Sequence, residues 1–150
     1  GARPHDTTVD LDLDLARQQS SDNQVYYVQY AHARIASVLT KAGSQRVRAA
    51  CAEVIDAERD SLHAAERALI EQLLAFPAEL AEAADRRAPH RIAAYALELA
   101  QTFTAFYRDC HVVGAEPQTV ESLRIALCVA SMRTIARCLG LLGVSAPEEM

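Results

Sequence analysis

At 150 residues, the chain is long enough for one domain that buries roughly 70% of the surface its unfolded form would expose, so a core can form without disulfides. Hydrophobic residues make up 51%, with five glycines, five prolines and no tryptophan, a balance that favours helix. A formal net charge of −5 argues against a general RNA-binding surface, because non-specific affinity comes mainly from lysine and arginine neutralising phosphates.

Fourteen of the fifteen basic residues are arginine, and a local basic face built from Arg86, Arg87, Arg91, Arg124, Arg133 and Arg137 stays compatible with the overall balance. Cys51, Cys110, Cys128 and Cys138 form no C-x-x-C pair and no zinc-like grouping with the histidines, so reduced and mostly buried thiols are expected. No apolar run reaches 18 residues and no signal peptide is recognisable, so a soluble cytoplasmic protein is the expectation.

In chain order, residues 1–21 read as a connector. Within it, the strict alternation of Val9 to Ala16, VDLDLDLA, predicts a short strand or extended segment. Ser20 to Gln24, SSDNQ, reads as a turn in which Asp22 or Asn23 caps a helix beginning near Val25 and ending near Lys41, with Gly43 as its stop. Residues 44–61 are helix-prone but highly charged, and the sequence leaves helix and loop open there.

Leu62 to Phe76 follows a helical pattern, and Pro77 is placed to open a short helix through Arg87. The clearest amphipathic helix starts at Pro89, with Ile92, Tyr95, Leu99, Phe103 and Phe106 recurring every three or four residues; Tyr107 is counted with this core stripe. Gly114 and Pro117 mark a turn. A last helix from about Gln118 to Leu142 carries Val120, Leu123, Leu127, Ala130 and Leu139 inward. The fold class is all-α, a bundle of five or six helices with an extended N-terminal connector and a helical domain at residues 22–150.

Within the first helix, Tyr26 to Arg34 reads YYVQYAHAR. At about 100° per residue, Tyr27, Tyr30 and Arg34 fall within roughly 60° of one another. Val28, Ala31, Ile35 and Leu39 lie on a separate arc, centred roughly 110° away. A stripe of tyrosine and arginine beside a core-facing arc suits a flat ligand, gripped by ring stacking and a planar guanidinium fork. On the residues alone, a packed tyrosine with a satisfied hydroxyl and an internally paired Arg34 is the other reading, and it stays open. His32 reads as a satisfied core or interface histidine.

The same run closely resembles the signature that opens the C-terminal anticodon-binding domain of arginyl-tRNA synthetase. Further matches follow in that family's order: LLAFP at Leu73 to Pro77, APHRIAAYALELAQTFTAFYRDC at Ala88 to Cys110, and LGLLGVSAPEEM at Leu139 to Met150. Glu121-Ser122-Leu123-Arg124 occupies the place of the tetrad for which DALR-type domains are named, with its Leu-Arg half retained and Arg124 expected to tie helices together.

The resemblance implies an anticodon-binding helix bundle whose partner is the anticodon loop of arginine tRNA. The implied contact residues are Tyr27, Tyr30 and Arg34, joined by Asn23 and Gln24 from the preceding turn, Arg91 at a helix start and Met150 at the end of the chain. Gln24 stands where the family usually has proline, and Glu149 where it usually has arginine. The resemblance also implies a class I catalytic domain elsewhere in the same chain, using ATP and magnesium to attach arginine to its tRNA. Neither a HIGH nor a KMSKS signature occurs in these residues, so no catalytic residue, metal site or cofactor is assigned to them, and a monomer without membrane association is expected. The alternative from another class is a diverged helical protein-interaction module that no longer meets RNA.

Overall fold

Two prolines set helix starts in the middle of the chain, because a fixed φ suits the first turn and the missing N–H has no intrahelical partner there. Pro77 and Pro89 both stand in such first turns. The computed structural model describes the backbone at residues 4–56 and 61–150, and side chains at residues 22–56 and 61–150. Among the described residues there are six helices: α1 (Pro4–Ala42), α2 (Ser44–Ala52), α3 (Ala64–Leu74), α4 (Phe76–Asp85), α5 (Pro89–Asp109) and α6 (Gln118–Leu141).

The all-α class stands, while the N-terminal part differs from its extended reading. The backbone of Val9 to Ala16 belongs to α1, as does the Ser20 to Gln24 segment. Asp22 and Asn23 are therefore interior helix positions rather than caps. Adding a residue to an existing helix gains a hydrogen bond without a new nucleation cost, whereas an isolated strand has no partner to satisfy it. With glutamine at position 24, no proline interrupts the ladder there.

Gly43 divides α1 from α2 with φ of 90°, a left-handed value that favours glycine. The undecided 44–61 stretch begins as helix and leaves it at Glu53, whose backbone is extended. Helix α3 opens with a capping box. His63 Nδ1 accepts from the Ala65 N–H at 3.0 Å, and Glu66 Oε1 accepts from the His63 N–H at 2.8 Å.

Helices α5 and α6 form the centre, each packing against α1 and α3, with α4 on α5 and α2 on α6. On α5 the expected stripe is buried: Ile92, Tyr95, Leu99, Phe103 and Phe106 all face the core. Burying each phenylalanine contributes about 1.5–3 kcal/mol relative to leaving it in water. Tyr107 is the exception to the sequence reading, being 39% exposed. It lies about 100° around the axis from Phe106, near the end of α5, where the core cannot cover both.

Helix α6 is covered on several sides. Leu127 and Leu139 are buried as expected, but Val120, Leu123 and Ala130 are half-buried, while Ser122, Ile125, Cys128, Ser131, Ile135 and Cys138 fill the interior. A single inward stripe cannot describe a helix surrounded by neighbours. Cys110, Cys128 and Cys138 are buried free thiols and Cys51 is exposed. Burial pushes the Cys138 thiol up to about 11 and the Cys128 thiol up to about 12.

Three of the six arginines considered above for a basic face are instead engaged by carboxylates. Arg86 pairs with Glu82 at 2.8 Å, Arg91 with Glu79 at 3.4 Å and Arg124 with Glu66 at 3.0 Å. Arg124 also donates to the His111 carbonyl at 2.7 Å, tying α6 to α3 and to the loop after α5.

Glu121, in the same tetrad, accepts from the Gly114 N–H and from Arg46 Nε at 2.7 Å. The Gly114 N–H first, and then the Arg46 guanidinium, hold its carboxyl below the usual value of 4.5. A depressed folded-state pKa contributes stability above the unfolded value, lost as pH falls through the folded value. Glu121→Gln should therefore lower the melting temperature at neutral pH. The gap from the parent chain should begin to close once the pH drops below 4.5; thermal melts across that range check both statements.

Candidate nucleic-acid interface

The periodicity that buries Val28, Ala31 and Ile35 turns Tyr30 and Arg34 outward from α1. They sit one helical turn apart, as neighbours on the helix surface. The Arg34 guanidinium carbon lies 5.7 Å from the Tyr30 ring centroid and 5.4 Å from that of Tyr107 on α5, within the range of cation–π attraction. Arg34 has no ion pair with any described residue, so none of their carboxylates engages its planar edge.

Tyr107 is backed by the core. Its ring stacks on Phe103 at 6.2 Å between centroids with an interplanar angle of 18°. A ring fixed from behind loses little freedom when a second flat group lies on its open face. Sequence reading placed Tyr107 in the core. The available signal was the angular one: Phe103, Phe106 and Tyr107 cannot all share one narrow stripe.

A third element reaches the same place. Helix α6 ends in a Schellman motif, with Val144 N–H donating to the Leu139 carbonyl at 2.9 Å and Gly143 N–H to the Gly140 carbonyl at 3.0 Å. Gly143 takes φ of 73°, the left-handed conformation this motif requires. The chain then lies against α1. Gln29 Nε2 donates to the Ser145 carbonyl at 2.9 Å, and His32 Nδ1 donates to the Pro147 carbonyl at 2.7 Å. Because a carbonyl only accepts, the proton must be on Nδ1.

These elements enclose a groove of about 480 Å³ bordered by Tyr30, Arg34, Lys41, Tyr107, Glu149 and Met150. Met150 is 52% exposed and Tyr30 46%. Glu148 also lines it, so the cations Arg34 and Lys41 face two carboxylates. A phosphate would gain little net attraction in such a setting, whereas the faces of a base would meet ring, guanidinium and thioether.

Of the residues singled out from sequence, the structure thus brings together Tyr30, Arg34 and Met150. Tyr27 is half-buried, its hydroxyl donating to Thr104 Oγ1 at 3.1 Å, which fixes α1 on α5. Gln24 borders a separate small cavity with Val28, Ala96 and Leu142. Asn23 and Gln24 are exposed on α1, about 15 Å along the axis from Arg34 at 1.5 Å per residue. Arg91 stands in the first turn of α5 with Glu79, about 24 Å along that helix from Tyr107 by the same rise. No group of three or more His, Cys, Asp or Glu side chains among the described residues could hold a metal ion, and no helix among them is long and apolar enough to cross a membrane.

The family profile described as DALR anticodon binding domain matches residues 28–150. The chain belongs to this family. Arginine–tRNA ligases from Salinibacter ruber and Carboxydothermus hydrogenoformans are 44% and 42% identical to it, each over 99% of this chain but only 26% of the relative. Among solved structures, the Thermus thermophilus arginyl-tRNA synthetase is 39% identical with a TM-score of 0.68, over 83% of this chain and 21% of that one. The DALR domain therefore spans about a quarter of the length of the curated relatives it matches, and its groove lies within the matched region.

Proposed function

We propose that this DALR domain reads the anticodon loop of arginine tRNA, as the C-terminal part of an arginine–tRNA ligase. The observation that carries the reading is the convergence of Tyr30 and Arg34 from α1, Tyr107 from α5 and Met150 from the tail around one open groove. Single-stranded RNA loops are recognised by such surfaces, because splayed bases offer a π-face for stacking and an edge for hydrogen bonds. Tyr30 and Tyr107 supply stacking faces, Arg34 a planar donor fork, and Met150 an adaptable apolar contact. Tyr27 acts behind them, locking α1 to α5. Asn23, Gln24 and Arg91 lie outside the groove and would reach RNA only beside the bases held there.

In the full-length ligase, acting as a cytoplasmic monomer, a class I catalytic domain would bind ATP and magnesium and join arginine to the tRNA. Anticodon binding would orient the acceptor end toward that domain, so that binding energy gained far from the reacting atoms serves the reaction. The family membership and the open aromatic groove favour this reading over a protein-interaction module.

The test is a titration of the chain with an RNA hairpin carrying an arginine anticodon, against the same hairpin with those bases changed. Binding should be at least about fivefold tighter to the arginine anticodon, the discrimination expected from losing one good base contact of 1–3 kcal/mol. Salt dependence should be shallow. Arg34 and Lys41 are offset at the groove by Glu148 and Glu149, so at most two phosphates of a single-stranded loop are neutralised there and the slope in log K against log salt concentration should be no steeper than about −1.4, at about −0.7 per phosphate. Equal affinity for the two hairpins would refute anticodon reading.

A further inference from the structure

We infer that Gln29 and His32 are positioning residues, a clamp that holds the chain's last segment so that Met150 forms one wall of the base-reading groove. The inference rests on the proposed anticodon reading for its consequence, but the clamp itself stands on geometry. Both side chains come from the turn of α1 that also carries Tyr30, and both engage carbonyls of the tail: Ser145 and Pro147 at 2.9 and 2.7 Å. His32 is only 6% exposed and its hydrogen bond to the half-buried Pro147 is partly shielded from competing water, and a buried donor deprived of its acceptor is costly. Met150, three residues beyond Pro147, is half exposed and has no hydrogen bond to another described residue, so the clamp is what fixes its approach to the groove.

The arrangement couples recognition to one element. A chain segment without regular structure would ordinarily fray, and ordering it at the moment of binding would cost affinity. Tying it to the turn that presents Tyr30 and Arg34 removes that cost, and it fixes the tail relative to the same rigid helix that presents the stacking face. The Schellman turn at Gly143 starts the reversal, and the clamp completes it.

Two measurements on the 150-residue chain test the clamp and its consequence separately. The first needs no RNA. Methionine occurs only at positions 132 and 150, so a 13C-methyl-methionine spectrum resolves the tail directly. In the double variant Gln29→Ala with His32→Ala, the Met150 signal should sharpen and move to its free-peptide position while the chain still melts cooperatively. His32→Asn, which keeps an N–H near the position of Nδ1, should retain most of the parent spectrum. An unchanged Met150 signal in the double variant overturns the clamp.

The second measurement is affinity for the arginine-anticodon hairpin, in the complete chain and in one ending at Pro147. The double variant should lose about tenfold in the complete chain, the size of two modest hydrogen bonds, and should lose nothing further in the shortened chain, where Met150 is already gone. Additive losses would show that Gln29 and His32 act other than through the tail, overturning the positioning role. If the parent chain does not distinguish the hairpins at all, the anticodon reading fails, while the spectrum still decides the clamp.

Discussion

Arg34→Ala should be the most damaging single change to recognition. In a full-length ligase carrying this domain, kcat/KM for arginine tRNA should fall by roughly 5- to 150-fold, corresponding to the 1–3 kcal/mol of one well-placed base contact. The guanidinium contacts both tyrosine rings, so its removal takes away a donor fork and also loosens the spacing between Tyr30 and Tyr107. Arg34→Lys should recover only part of the loss, because an ammonium is a point charge without a planar face. Tyr107→Ala should fall in a similar range, since base–aromatic stacking is worth about 1–3 kcal/mol per base, while Tyr107→Phe keeps the ring and should stay close to the parent. Steady-state aminoacylation with arginine tRNA checks all four. A Tyr107→Phe variant as impaired as Tyr107→Ala would mean that the hydroxyl, not the ring face, is what matters.

The second large effect concerns stability. Arg124→Ala should destabilise the domain by about 3–5 kcal/mol, because it strands the Glu66 carboxylate without its partner in the interior. Glu66 retains only 4% side-chain exposure and Arg124 16%. At roughly 2–4 °C per kcal/mol for a chain of this length, the melting temperature should drop by about 10 °C. The loss should exceed that of Arg86→Ala, whose pair with Glu82 is open to solvent and so worth little. Removing both Glu66 and Arg124 should cost less than the sum of the single changes, because they share one interaction. Additive losses in thermal melts of the double-variant cycle would show the ion pair to be incidental.

The difference between α5 and α6 explains what the sequence could reveal of the fold. Helix α5 packs with one face inward and one outward, so its stripe from Ile92 to Phe106 was readable from spacing. Helix α6 is enclosed by α1, α2, α3 and α5, and its apolar residues go round the axis, which blurs any single period. At the N-terminal end, the alternation of Val9 to Ala16 carried a strand signal, but a strand needs a partner and a helix can simply continue. Local pattern was overruled by what the chain was attached to.

The groove was legible to a different depth at each residue. Tyr30 and Arg34 followed from the angular separation of their stripe from the buried arc. Tyr27 shared the stripe yet lies against α5, because a sequence stripe says nothing of where a second helix crosses it. Met150 could be placed only through resemblance, since no local rule tells where a chain end docks. Tyr107 was missed because it adjoins a strong core stripe, and only the end of α5 lets it out. Glu149, by contrast, occupies the place that resemblance drew attention to, and its carboxylate lines the groove where an arginine would favour phosphate.

The burial of three of the four cysteines also decides how the domain meets oxidants. Cys110, Cys128 and Cys138 are shut inside with their thiols held protonated, and a thiol in that state is a poor nucleophile toward peroxide. Cys51 is reachable but stands on α2, away from the lining of the groove. The sulfur that oxidants reach at the groove is instead the thioether of Met150. Conversion to the sulfoxide would turn its apolar wall polar, a change that methionine sulfoxide reductases can reverse. Redox damage to recognition would therefore arrive through a repairable side chain.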